Sequence, residues 1–157
     1  PPPLPPVERA EAILHDASGA VRGDAVLIQL DQGIRLVIRA EGMVPGVKAA
    51  HIHMTGRCDG PGFTSAGGHW NPLGREHGRD NPAGQHMGDM PNLIIGQDGM
   101  GLLEVIISGA RIEDGRFPLL DEDGAALMIH AGPDDYRSDP AGAAGPRIAC
   151  GVIEPIL

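Results

Sequence analysis

His51-Ile52-His53 is a place in this sequence where residue type and spacing speak directly of chemistry. On a strand, residues two apart face the same way, so the two imidazoles converge while Ile52 turns to the opposite side, toward a core. An isolated pair of this kind is as readily a surface strand as a metal site. Further histidines at His69, His77, His86 and His130 change that balance, and of the seven histidines only His15 stands apart, on an exposed strand with no catalytic part. His69, His77, His86 and Asp89 together supply the imidazole and carboxylate donors of a four-coordinate zinc site. His51, His53 and His130 supply three imidazoles, one short of the tetragonal nitrogen set that Cu(II) favours. If His69 uses both ring nitrogens, each centre has four ligands, and two flanking cations make the loss of both ring protons feasible.

These side chains need a frame. Short runs of β-type composition cover Ala10 to His15, Ala25 to Leu30, Ile34 to Ala40 and Lys48 to His53. They recur at Asn92 to Ile95, Gly101 to Ile107, Ala125 to His130 and Ile148 to Ile153. Turn residues punctuate them, as in Asp31-Gln32-Gly33, Gln97-Asp98-Gly99 and Asp121-Glu122-Asp123-Gly124. Roughly eight strands at this spacing predict an all-β antiparallel sandwich or barrel. Two long stretches lack strand or helix periodicity, Cys58 to Pro91 and Ala131 to Pro146, and loops of that length inside a domain are either functional or disordered.

The 157 residues suit one domain with a real core, built from aliphatic side chains because only Phe63, Trp70, Phe117 and Tyr136 are aromatic. The 24 glycines and 15 prolines sit between apolar runs and not in a repeat, so they read as ordered loops. A formal charge of -9 without a Lys/Arg cluster argues against nucleic acid or an anionic membrane surface as partner. No apolar stretch is long enough to span a bilayer, and the start lacks the charged and apolar regions of a signal peptide, as a mature soluble protein would. Pro1-Pro2-Pro3-Leu4-Pro5-Pro6 reads as an extended linker, which gives an expected organisation of a proline-rich tail over 1–8 and one domain over 9–157.

Motif by motif, the sequence resembles the copper,zinc superoxide dismutases over nearly all of the chain after the tail. His51-Ile52-His53-Met54-Thr55-Gly56-Arg57-Cys58 is similar to that family's HxHxxGxC stretch, and Gly67-Gly68-His69-Trp70-Asn71-Pro72 to its GxHxNP stretch. Gly145-Pro146-Arg147-Ile148-Ala149-Cys150-Gly151-Val152-Ile153 resembles its closing GxRxACGVI. The resemblance implies an eight-stranded Greek-key β-barrel with two long functional loops. It also implies a copper ion on His51, His53, His69 and His130, and a zinc ion on His69, His77, His86 and Asp89. Arg147 would sit beside the copper and steady a superoxide anion, and Asp134 would link a copper ligand to a zinc ligand through their free N–H groups.

The activity implied is dismutation of superoxide to O2 and hydrogen peroxide, with copper alternating between Cu(II) and Cu(I), the His69 bridge taking up a proton, and zinc holding the loop. Cys58 and Cys150 are the only cysteines, and one disulfide between them is the natural reading for an exported chain. Closing about 90 residues stabilises by roughly 4–5 kcal/mol at most. The short loop after His130 and the Gly-Pro-Arg lead into the last strand look bacterial, which implies a periplasmic, secreted or cell-surface setting. Many relatives form homodimers, through interfaces that differ between bacterial and animal members.

Around the channel, Lys48, Arg75, Arg79 and Arg137 are candidate cations, opposed by Asp134, Asp135 and Asp139. The rival readings are a non-catalytic copper-binding or copper-delivery relative, a zinc hydrolase and a structural sandwich. The first usually lacks a ligand, and none is missing here; the second needs an open zinc position and an HExxH-type motif that the sequence does not contain. Six clustered histidines weigh against the third.

Overall fold

Alternation of burial along the first three strands sets the architecture. In the computed structural model, which describes residues 8–156, β1 (Arg9–Asp16) buries Ala10, Ala12 and Leu14 and turns Glu11, Ile13 and His15 outward. β2 (Val21–Gln29) buries Ala25 and Leu27, and β3 (Gly33–Ala40) buries Ile34, Leu36 and Ile38. A period of two is what an antiparallel sheet with one wet face requires. The three strands form a meander with Ala12 opposite Ala25 and Val26 opposite Val37. Of the tail expected over 1–8, residues 1–7 lie outside the described residues.

β4 (Gly46–Lys48) and β5 (Ala50–His53) are parts of one run interrupted only at Ala49. β4 pairs with β6 (Leu93–Ile95), and β6 turns into β7 (Gly101–Ser108) with Gly96 N–H donating to Met100 O at 2.9 Å. β7 pairs with β3, so one side of the sheet leads back to β4. On the other side β5 pairs with β8 (Ala126–His130), β8 with β9 (Arg147–Val152), and β9 with β1. The strands therefore close into a barrel. β10 (Glu154–Pro155) extends β9 past Ile153 and pairs with β1, so the eight predicted runs map onto eight staves. The β3–β4 and β7–β8 connections each cross over intervening strands, which is Greek-key topology.

The core is aliphatic, with Leu27, Leu36, Ile38, Ile52, Leu93, Leu127 and Ile129 fully buried and Trp70 as its one aromatic member. β8 is buried on both faces and reads as an unbroken apolar run for that reason. Its outer side, with Ala126 and Met128, and the neighbouring Cys150 of β9 pack against Phe63 and Ala66 of the first long loop. Helical structure among the described residues is confined to a 3-10 turn at Thr64–Ala66 within that loop.

A third connection, residues 109–125, is longer than the turn expected at 121–124. Its apolar side chains Ile112 and Leu119 are fully buried and pack into the core. Gln29 tethers it: Nε2 donates to Leu30 O, Gly33 O and Ala110 O, while Oε1 accepts Ile112 N–H at 2.7 Å. Replacing Ile112 with Ala should cost about 2–4 kcal/mol, as a buried cavity does. Urea unfolding should then show a lower midpoint with an unchanged m value.

Candidate metal centre

The first long loop is laid along β5 by backbone hydrogen bonds. Ile52 N–H donates to Gly88 O at 2.9 Å, Trp70 N–H to Ile52 O at 2.8 Å and Met54 N–H to Gly68 O at 2.9 Å. Residues 68–70 and 88–89 thereby act as extra edge segments, pairing His69 with His53 and Asp89 with His51. His130 arrives from the end of β8, its N–H bound to Ala49 O. All six of these histidines and both Asp89 and Asp134 are buried, whereas His15 is exposed on β1 as expected. Ring centroids lie 4.0 Å apart for His51 and His69, 4.9 Å for His53 and His69, and 5.2 Å for His51 and His130.

One nitrogen of most rings is committed to an oxygen that can only accept, and this fixes the tautomer. His53 Nδ1 donates to Gly67 O at 2.8 Å and His130 Nδ1 to Gly145 O at 3.0 Å. His51 Nε2 donates to Asp134 Oδ2 at 2.7 Å, and His77 Nε2 to Asp134 Oδ1 at 2.8 Å. The opposite nitrogens, His51 Nδ1, His53 Nε2, His130 Nε2 and His77 Nδ1, together with His69 Nε2, are buried without a hydrogen-bond partner. Buried unpartnered nitrogens cost free energy, and converging lone pairs are what a cation satisfies. The donors of His51, His53, His69 and His130 lie within 4.8 Å of one another.

On the other side of His69, Nδ1 is 2.8 Å from Asp89 Oδ1 and 3.1 Å from His86 Nδ1. His77 Nδ1 is 2.9 Å from Asp89 Oδ2 but lacks hydrogen-bond alignment, as two donors facing a common cation would. Donors of His51, His69, His77 and Asp89 also fall within 4.8 Å of one another, with His51 in the place expected for His86. His86 fits this second cluster better. The Nε2 of His51 is spent on Asp134 and its Nδ1 is shared with the first cluster, while His86 Nδ1 approaches both His69 and Asp89.

Asp134 is the keystone between the clusters. It binds His51 with one oxygen and His77 with the other, and it is itself held by Tyr136 N–H, by Asn92 Oδ1 accepting its N–H, and by Asn92 Nδ2 donating to its carbonyl. Burial would raise its pKa, but the hydrogen bonds from His51 and His77 prevail and hold it below the carboxylate range. Burial lowers His51 from 6.5 to about 4 despite Asp134, and pushes His53, His86 and His130 down as well. Burial also works against protonation of His77, yet its hydrogen bond to Asp134 and the nearby Asp89 carboxylate raise it to about 9.

Arg147 donates from Nη1 to Phe63 O and from Nη2 to Gly67 O, the carbonyl that also receives His53. Cys58 and Cys150 form a disulfide with Cα atoms 5.7 Å apart, tying the loop's start to β9. Among the candidate cations, Lys48 is buried with Nζ on Ala131 O, so it does not face the solvent. The sequence reading missed Asn92, Tyr136 and the carbonyls of Gly67 and Gly145. Asn92 and Tyr136 carry no spacing signal, and a carbonyl's role never shows in side-chain identity.

A closed antiparallel barrel carrying two adjoining clusters of buried imidazole and carboxylate donors, sharing His69, defines a β-barrel protein with a paired metal centre. The copper/zinc superoxide dismutase (SODC) family profile matches residues 21–153, and the chain belongs to that family. It is 46% identical over 147 residues to superoxide dismutase 2, a copper-zinc protein of Aquifex aeolicus, covering 92% of this chain and 86% of the relative. A crystal structure of a double mutant of a SOD-like protein from Bacillus subtilis superposes with a TM-score of 0.87 at 40% identity, covering 90% of this chain and 95% of that one. The Cu/Zn superoxide dismutase of Brucella abortus gives 0.72 at 29% identity, covering 94% of this chain and 100% of that one.

A Cβ at Gly142, whose φ is +70°, would lie 2.0 Å from Asp134 Oδ1 and 2.8 Å from His77 Nε2. Gly142→Ala should therefore displace the keystone and weaken metal retention about 10- to 100-fold in chelator competition. Below its unfolded pKa of 6.5 the His51 ring binds a proton when unfolded but resists it when folded until about 4, so stability is lost as pH falls through that window. His77 acts oppositely: its contribution is complete below 6.5 and is lost as pH rises through about 9. Metal-free protein should thus unfold at lower urea at pH 5 than at pH 7; equal midpoints would contradict the assignment.

Proposed function

We propose that His51, His53, His69 and His130 hold a copper ion, and that His69, His77, His86 and Asp89 hold a zinc ion. The observation that carries this is the set of buried, unpartnered nitrogens on His51, His53, His69 and His130, next to a second cluster that meets the other nitrogen of the same His69 ring. As a member of its family the chain is an oxidoreductase that converts superoxide to O2 and hydrogen peroxide with copper and zinc as its metals. Copper supplies the alternating Cu(II)/Cu(I) electron transfer, and zinc, which has no redox chemistry, supplies fixed charge.

The chain's own groups do the remaining work. Two superoxide anions and two protons become one O2 and one hydrogen peroxide, so a proton must be held near the reacting oxygen. His69 Nε2 is the ring atom suited to take up and release it, because Nδ1 on the same ring is engaged by the Asp89 cluster. His53 and His130 are kept from rotating by Gly67 O and Gly145 O, and burial keeps both unprotonated. Arg147 is anchored through two carbonyls and keeps its remaining N–H groups for an anion, where a pre-oriented cation stabilises charge without reorganising. Asp134 orients one ring of each cluster and acts through them.

The disulfide supports a setting in an oxidising compartment, the bacterial periplasm or cell surface, where the chain would act as an antioxidant enzyme on superoxide. The non-catalytic alternative is separated by metal analysis. About one copper and one zinc per chain with chelator-sensitive dismutation supports the enzyme; zinc alone, with no activity after added copper, refutes it. Arg147→Glu should lower dismutation at least tenfold while Arg79→Glu changes it about twofold or less, since only the first is anchored at the His53 carbonyl. Equal losses in the rate assay would remove Arg147 from its role.

A further inference from the structure

Behind the second cluster lies a cavity of about 380 Å³, between the loop segment 73–91 and the end of β7. That volume falls within the range of about 300–1,000 Å³ typical of small-molecule sites. Its walls are largely apolar, with Leu73, Met87, Met90 and Val105 among them. The buried His86, Asp89 and Asp134 also line it, so it abuts the second cluster, while none of the histidines with unpartnered nitrogens reaches it.

The lip is cationic. Arg75 and Arg79 line it, both are exposed, and neither has a carboxylate partner among the described residues. Arg22, Arg35, Arg57 and Arg111, by contrast, are each neutralised by an acidic neighbour. Two guanidinium groups without carboxylate partners at one cavity create a local field that favours an anion, even in a chain of net charge -9. Arg79 lies 4.2 Å over the Tyr136 ring, which holds it in place and reduces the entropy a ligand must take away. Leu73 and Ile106, at the edge of the same cavity, remain 49% and 47% exposed, leaving apolar surface in water that an apolar body would cover.

We propose that this cavity binds an amphipathic anion, with an apolar body seated against Leu73, Met90 and Val105 and one terminal carboxylate or sulfonate at Arg75 and Arg79. An occupant would touch both the metal-bearing loop and β7, and so tie the loop to the barrel.

The test uses the copper- and zinc-loaded protein with anilinonaphthalene sulfonate as the probe and uncharged phenylnaphthylamine as its neutral counterpart. The sulfonate should bind one per chain by fluorescence titration. The double variant Arg75→Ala/Arg79→Ala should weaken it about tenfold or more while leaving the neutral probe unchanged, and the Lys/Lys double variant should retain most of the affinity. Ser108→Trp, which fills the cavity from an exposed position on its rim, should abolish binding of both probes. Metal content and thermal unfolding of each variant show that the fold is intact. No sulfonate binding to the loaded protein, or binding that survives both the Ala/Ala and the Ser108→Trp changes and so belongs to another surface, overturns the proposal.

Discussion

Six imidazoles packed into the wall of a barrel are tolerable only if every ring has one nitrogen satisfied by the protein and the other satisfied by something else. The protein meets the first half with Gly67 O, Gly145 O and the two oxygens of Asp134, all of them groups that can only accept. The second half is left as converging lone pairs in a dry space, which is a strong demand for a cation. His69 and His86 are the two rings those four acceptors do not hold, and His69 links the clusters because its Nδ1 meets Asp89 and His86 while its Nε2 faces the first cluster. Everything around these rings can be understood as holding them still against that unmet demand.

Rigidity comes from dividing the work between barrel and loop. β5 and β8 bring His51, His53 and His130 from paired strands whose register is set by the core, including Ile52 and Ile129. The loop contributes His69, His77, His86 and Asp89, and a loop this long would lose its order without ties. Those ties are backbone bonds to both sides of Ile52, the Cys58–Cys150 disulfide, and Arg147 gripping Phe63 O and Gly67 O. Gly67 O serves both Arg147 and His53, so the proposed anion-binding group and a proposed copper ligand are positioned by one carbonyl.

Electrostatics acts at short range here. A chain with net charge -9 repels a small anion from a distance, so attraction has to come from cations whose charge is not cancelled locally. Most of the ion-paired arginines lie on the barrel surface and contribute little to such a field. Arg147 beside the histidines, and Arg75 and Arg79 behind them, are guanidinium groups without a carboxylate partner that lie next to the metal-bearing loop. The uneven distribution of compensated and uncompensated arginines gives the two sides of the metal-bearing loop their different chemical character.

Much of this was legible in the linear sequence for physical reasons. Strand periodicity marks the eight staves because one face of each must be apolar, and the His-x-His pair declares its geometry because a strand repeats every two residues. The cysteines, being only two, left one pairing to consider. The 109–125 connection was legible only at its 121–124 turn, because its tether to Gln29 joins segments more than eighty residues apart. The loss of Lys48 to the interior was not legible, since its neighbour Ala131 is more than eighty residues away and offers only a carbonyl. Which nitrogen of each ring faces inward, and the support of Asp134 by Asn92 and Tyr136, depend on contacts between distant segments. Side-chain identity dictated which donors exist; only the closed barrel, by bringing β5, β8 and two loops to one place, decided which of them meet.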